Sequence, residues 1–119
     1  MIGNDWTARI LERGIEASEL RQRISAHNIA NINTPGFKRT RVEFEQHLAT
    51  ALQEGTDPGD VRPVVVTEDN TLARPDGNNF DIEGEMTALA ENQLWYAALT
   101  RQLSDHFARL RMVIHDGRR

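Results

Sequence analysis

The strongest constraint on the fold is a run of apolar side chains in the last third of the chain. Ile82, Met86, Leu89, Gln93, Tyr96, Thr100, Leu103, Phe107, Leu110 and Ile114 follow one another in steps of four and three. Most of these positions are apolar or aromatic, the heptad pattern of a helix that lays one face along another helix. Ala90, Leu94 and Ala97 widen the first half of the stripe. Asp81 suits an N-cap, and Glu83 and Glu85 complement the positive helix end. Arg109 and Arg111 suit the negative end, and Gly117 suits a stop. The spacing predicts a helix over 81–115, about 50 Å long at 1.5 Å per residue.

The first third carries a second amphipathic run. Trp6, Ile10, Ala17, Leu20, Ile24 and His27 keep helical spacing, which predicts a helix over 5–33. Pro35 fixes its own φ and pushes Thr34 out of the helical region. Pro35-Gly36 suits the centre of a type II turn, where glycine accepts the positive φ. The chain is therefore expected to leave the helix by about Asn33 and reverse at Gly36. Asn28 and Asn31 fall on neighbouring faces of the last turns. Their amides can cap open carbonyls there, or reach a neighbouring helix and fix its register.

Between the long helices the pattern is weaker. Residues 42–52 read as a short helix with Phe44, Leu48 and Leu52 on one face. Residues 55–79 hold Gly55, Pro58, Gly59, Pro63, Pro75 and Gly77. They read as an extended loop with a strand candidate at Val64–Thr67. The expected fold is one mostly α domain over residues 1–119. Its two terminal helices pair as an antiparallel coiled coil, with a short second helix and an extended or short-strand middle.

Composition narrows the function. A net charge of −4 over 119 residues argues against a dedicated nucleic-acid binder. Lys38, Arg39 and Arg41 form a small basic patch, read as solvated or partner-facing. An adaptor that used the patch on nucleic acid would bind with steep salt dependence. There is no cysteine, hence no disulfide and no thiolate metal site. No apolar run reaches membrane-spanning length, and the first residues lack the pattern of a cleavable secretory signal. The four histidines form no His-Glu-x-x-His run, and the adjacent Asp105 and His106 point apart on a helix. Neither catalysis nor a cofactor nor a metal is expected. Two long apolar stripes cannot both be covered within one hairpin, and exposed stripes of this size mark interaction surfaces.

Asn28-Ile29-Ala30-Asn31, followed by Thr34-Pro35-Gly36-Phe37, resembles the N-terminal signature of bacterial flagellar rod and hook proteins. Asp76-Gly77-Asn78-Asn79-Phe80-Asp81-Ile82-Glu83-Gly84-Glu85-Met86 resembles the lead-in to the C-terminal helix of proximal rod subunits in that family. Gly84 departs from the pattern, where a better helix former would save up to about 1 kcal/mol. The middle of the chain carries no match. The resemblance implies a structural subunit of the proximal rod, with its terminal helices lining a hollow shaft that links the membrane ring to the distal rod and hook. The short middle segment favours one proximal rod subunit over its sister. The implied partners are copies of itself, other rod subunits, the membrane-ring base, the ring–rod junction protein and the flagellar type III export apparatus. The implied location is the periplasmic rod of the basal body, reached without a cleavable signal. Free subunits of such families are expected to be partly unfolded. Phe44-Glu45-Gln46-His47-Leu48 has the Phe-x-x-x-hydrophobic form of an export-gate motif. Phe44 and Leu48 are equally spaced as a packing face.

Overall fold

The computed structural model describes residues 5–68 and 82–117. Helix α1, Trp6–Ala30, and helix α3, Ile82–Gly117, run antiparallel along one another. Between them in sequence come strand β1 (Thr40–Glu43), helix α2 (Glu45–Glu54), a single 3-10 turn (Pro58–Asp60) and strand β2 (Val64–Thr67). The molecule is a slab of 69 × 29 × 14 Å.

Asp5 starts α1 by accepting the Ala8 N–H on its carboxylate at 3.1 Å, satisfying one of the open donors of the first turn. The helix ends at Ala30, three residues before the expected Asn33. Asn31 closes it by donating its side-chain amide to the His27 carbonyl at 2.9 Å. Asn31 Oδ1 also accepts from the Thr34 hydroxyl at 3.2 Å. Phe37 N–H then reaches the Thr34 carbonyl at 3.1 Å across Pro35-Gly36, and Gly36 sits at φ 77°. This is the expected type II turn, and a β-branched residue at Gly36 would be strained.

The middle segment departs from expectation at one place. The short helix covers Glu45–Glu54 rather than 42–52, because Val42 and Glu43 belong to β1. β1 pairs antiparallel with β2, with Val42 opposite Val65 and Thr40 opposite Thr67. Val42 points inward and is buried, while Arg41 and Glu43 flank it. A β-branched residue between two charged ones suits a half-covered strand better than a helix turn. The strand candidate at Val64–Thr67 forms as β2. The rest of the expected loop, residues 69–79, and the expected N-cap Asp81 lie outside the described residues.

Side chains hold this middle segment on α1. Arg21 makes a two-pronged pair with Glu45, at 2.8 and 2.5 Å, and also reaches the Val42 carbonyl. Those bonds favour the ionised form of Glu45 and lower its pKa. Arg9 pairs with Asp57, whose other oxygen accepts the Gly59 N–H in the 3-10 turn. Phe44 plugs the corner between β1 and α2 and is 3% exposed. Among the described residues the buried apolar set is Ala8, Ala17, Val42, Phe44 and Ala51, with Pro58 beside it.

The α1–α3 contact is built from small residues. Ala8, Ala17, Ser18 and Ser25 of α1 are buried; α3 crosses at Ser18, whose carbonyl accepts from Asn92, and at Gly14, where an added Cβ would stand 3.3 Å from Leu99 Cδ1. Small side chains let the helix backbones approach, leaving little room for large apolar residues between them.

Candidate assembly surface

Three of the four α3 residues that stand directly over α1 are polar. Glu85, Asn92, Leu99 and His106 recur every seven residues and lie over Asn28, Ser18, Gly14 and Asp5. Asn92 donates its amide to the Ser18 carbonyl at 2.7 Å. His106 Nε2 lies 2.7 Å from an Asp5 oxygen. Asp105, its sequence neighbour, pairs instead with Arg101.

The densest knot is at Asn28, which is fully buried. Its amide donates to the Thr40 carbonyl at 2.8 Å and to Glu85 at 3.3 Å. Its carbonyl oxygen accepts the Thr40 N–H at 3.1 Å and the Thr40 hydroxyl at 3.3 Å. One side chain thus fastens α1 to β1 and to α3. Glu85, whose side chain is 1% exposed, takes its opposite charge from Arg39 at 2.6 Å. Arg39 also pairs with Glu68 at 2.6 Å, across the sheet from it. Burial works against the Arg39 charge, but the bonds and fields of Glu85 and Glu68 outweigh it and raise its pKa. Arg41 pairs with Glu43 at 2.6 Å. The Arg41 bond is also the main reason that Glu43 titrates below the usual carboxylate range. The reading of Lys38, Arg39 and Arg41 as an outward patch is therefore corrected: Arg39 turns inward, and both guanidinium groups are engaged by carboxylates.

The signature residues divide by role. Asn28 fixes the neighbouring elements, and Asn31, Thr34, Pro35 and Gly36 make the helix stop and turn. Phe37 packs edge-on to the His27 ring, with centroids 5.5 Å apart. Ala30 is the last helical residue and is exposed. Asn31 thus caps the helix and Asn28 reaches the neighbouring helix as expected, while the bonds of Asn28 to Thr40 of β1 were not expected.

The apolar stripe of α3 lies elsewhere on the helix. Taken as a heptad, its mean direction is rotated roughly 75° from the seam that faces α1. Leu89, Leu103 and Leu110 are half-covered along the edge of the contact. Ile82, Met86, Tyr96, Phe107 and Ile114 are exposed, Met86 at 56%. Leu94 and Trp95 add further apolar surface at 73% and 63%. The expectation that the stripe forms the intramolecular seam is corrected, since small α1 residues accept polar partners better than large apolar ones. On α1, Ala17 is fully buried while Ile10, Leu20 and Ile24 are half-buried. Heptad spacing could have revealed the polar seam, because Glu85, Asn92 and His106 keep it in the sequence. Of the export-motif pair, Phe44 is buried just before α2 and Leu48 is half-buried within it.

The Asp5–His106 contact gives a pH prediction. The His106 hydrogen bond, helped by the Ala8 N–H, holds the Asp5 carboxyl below its ordinary value of 3.8. A depressed carboxyl pKa contributes stability above the unfolded value and loses it as pH falls through the folded one. The helix pair is therefore expected to loosen at this end only below pH 3.8. Carbon NMR of the Asp5 carboxyl should titrate below that value, and His106→Ala should return the midpoint toward it. An unchanged midpoint in the variant would refute the contact.

Two antiparallel helices pinned by polar contacts, with large apolar residues turned outward, define an assembly subunit. Among the described residues there is no group of three metal-binding side chains and no helix apolar enough to cross a membrane. Residues 9–38 match a family described as flagella basal body rod protein. Flagellar basal body rod protein FlgB of Borrelia hermsii is 34% identical over 92% of this chain and 96% of its own length. That of Bacillus subtilis is 32% identical over 94% and 95%. That of Escherichia coli K12 is 26% identical over 95% and 96%. The chain belongs to the FlgB family of flagellar basal body rod proteins. Its function is accordingly that of a structural subunit of the flagellar basal body rod, in the service of motility.

Proposed function

We propose that this subunit enters the proximal rod by packing the exposed face of α3 against other rod subunits and copies of itself. The observation that carries the reading is the exposure of Met86, Tyr96, Phe107 and Ile114 at heptad spacing on one face. Repetition of a heterologous contact through such a face extends into a helical wall. In this reading the two long helices line the bore. The subunit sits in the periplasm at the rod base, beside the membrane-ring base and the ring–rod junction protein. It arrives there through the flagellar type III export apparatus. The signature turn and the Asn28 knot keep the helix pair in the register that the wall needs.

Phe107→Asp tests the face. Phe107 is 38% exposed and its ring lies 5.9 Å from that of His106, so the helix content of the variant is compared with wild type before assembly is scored. In the wall it would bury an unpaired carboxylate, at a cost of several kcal/mol. The expected result is non-swimming cells and loss of the subunit from purified basal bodies at normal protein levels. Swimming cells would remove this face from the assembly.

A further inference from the structure

We propose that the outer edge of β2 pairs with the same edge of a second copy, giving the free subunit a two-fold, four-stranded sheet. The pairing needs only the β1–β2 register, so it can be tested apart from the rod reading.

The sheet has one closed edge and one open edge. Glu68 N–H reaches the Arg39 carbonyl at 2.9 Å, so Arg39, Arg41 and Glu43 face Glu68, Val66 and Val64 across the ladder. In an antiparallel pair the residues between them turn their N–H and C=O groups away. On β1 these are Thr40 and Val42, and α1 meets both. Asn28 makes the two bonds with Thr40 that a third strand would make, at 2.8 and 3.1 Å. Arg21 donates to the Val42 carbonyl at 3.2 Å. On β2 the outward residues are Val65 and Thr67. Both are exposed, and among the described residues nothing bonds their outward backbone groups.

An open edge of this kind accepts one more strand. The occupant is β2 of a second copy because the edge is complementary to itself. A two-fold axis at Val66 sets Val65 of each copy opposite Thr67 of the other. Each such pair exchanges two bonds, so every outward group of Val65 and Thr67 is satisfied. Val66 then faces Val66, and Glu68 faces Val64, so no carboxylate meets its own copy. Setting Val65 opposite itself would instead bring Pro63, which has no N–H, to Thr67 and leave that carbonyl empty. Because α1 closes the edge of β1, association ends at two copies. Three residues a side bury much less than the roughly 1,200 Å² of a stable complex, so the pair is transient. A two-fold contact cannot be continued along a shaft, so the pair belongs to the free subunit and is released on incorporation.

The test is disulfide trapping of the full chain in trimethylamine N-oxide, which favours the compact state. The chain has no cysteine of its own. Facing residues of a non-bonded pair lie about 4.5 Å apart at Cα, within reach of a disulfide. With diamide as oxidant, Val66→Cys is expected to form a covalent dimer at least tenfold faster than Val64→Cys. Val64 is the more exposed of the two, so random collision would favour it. In the pair, its two copies stand roughly 13 Å apart. Val65→Pro removes one outward N–H and spares the β1 ladder. Added to Val66→Cys, it should lower trapping to the Val64→Cys level with unchanged helix content. Hydrogen exchange of the wild-type chain needs no substitution. The Val65 and Thr67 amides should exchange more slowly as concentration rises, while that of Val66 stays constant. Equal trapping at 64 and 66 overturns the proposal, as does trapping that Val65→Pro leaves untouched. Slow exchange at Val65 and Thr67 that persists on dilution overturns it as well, since the chain would then cover its own edge.

Discussion

Arg39→Met is expected to destabilise the folded subunit by about 3 kcal/mol, the cost of stranding a buried carboxylate by removing its partner. Glu85 is 1% exposed and, among the described residues, would keep only the Asn28 amide, 3.3 Å away. Arg39 is one-quarter exposed, which places the effect at the lower end of the range for buried pairs. The same change takes one guanidinium from Glu68 on the β2 side, which still has Arg41 at 3.7 Å, so α3 is expected to loosen more than the sheet. Removing both charges in Arg39→Met/Glu85→Leu should recover much of the loss, because the desolvation of both groups disappears with the pair. The measurement is urea unfolding followed by helix signal, in trimethylamine N-oxide to favour the compact state. A single variant as stable as wild type would show that Glu85 is held by other means.

The second large effect is expected at Phe44. With 3% of its surface exposed, Phe44→Ala leaves a cavity at the corner of β1 and α2 and should cost about 3–5 kcal/mol. The burial explains one role for this residue, and the spacing to Leu48 suggests the export role as well. Export acts on the unfolded chain, where a cavity has no meaning, so the two roles separate cleanly. The readout is the fraction of Phe44→Ala protein secreted by cells whose rods cannot grow. Secretion at the wild-type level would confine Phe44 to packing, and the protein would then fail at incorporation. Retention in the cytoplasm would assign it to export.

Much of this fold is legible in the chain, for identifiable reasons. The helices are visible because their periodicity persists over many turns. The turn is visible because Pro35 and Gly36 leave the backbone few choices. β2 is visible because three valines in a row suit little else. β1 is not, since Arg41 and Glu43 read as surface residues until Val65 is known to lie opposite Val42. The seam of α3 is hidden for a different reason. Periodicity finds the most apolar face of a helix and assigns it to the core. Here α1 presents Gly14 and Ser18, so the backbones come close and a carbonyl is within reach of a hydrogen-bonding partner. The apolar face is left for contacts that one chain does not contain.

The three polar contacts along the seam also have a mechanical meaning. Asp5–His106, Ser18–Asn92 and Asn28–Glu85 are spread over nearly the whole of α1, about 35 Å of helix. Bare carbon surfaces slide past one another with little change in energy, because dispersion and burial carry no direction. Directional bonds do not permit that. A slip of α3 along α1 by a single turn, about 5.4 Å, moves every donor out of reach of its acceptor at once. The helix pair therefore behaves as a keyed joint under axial load, stiff in shear over its whole length until all three keys give way together.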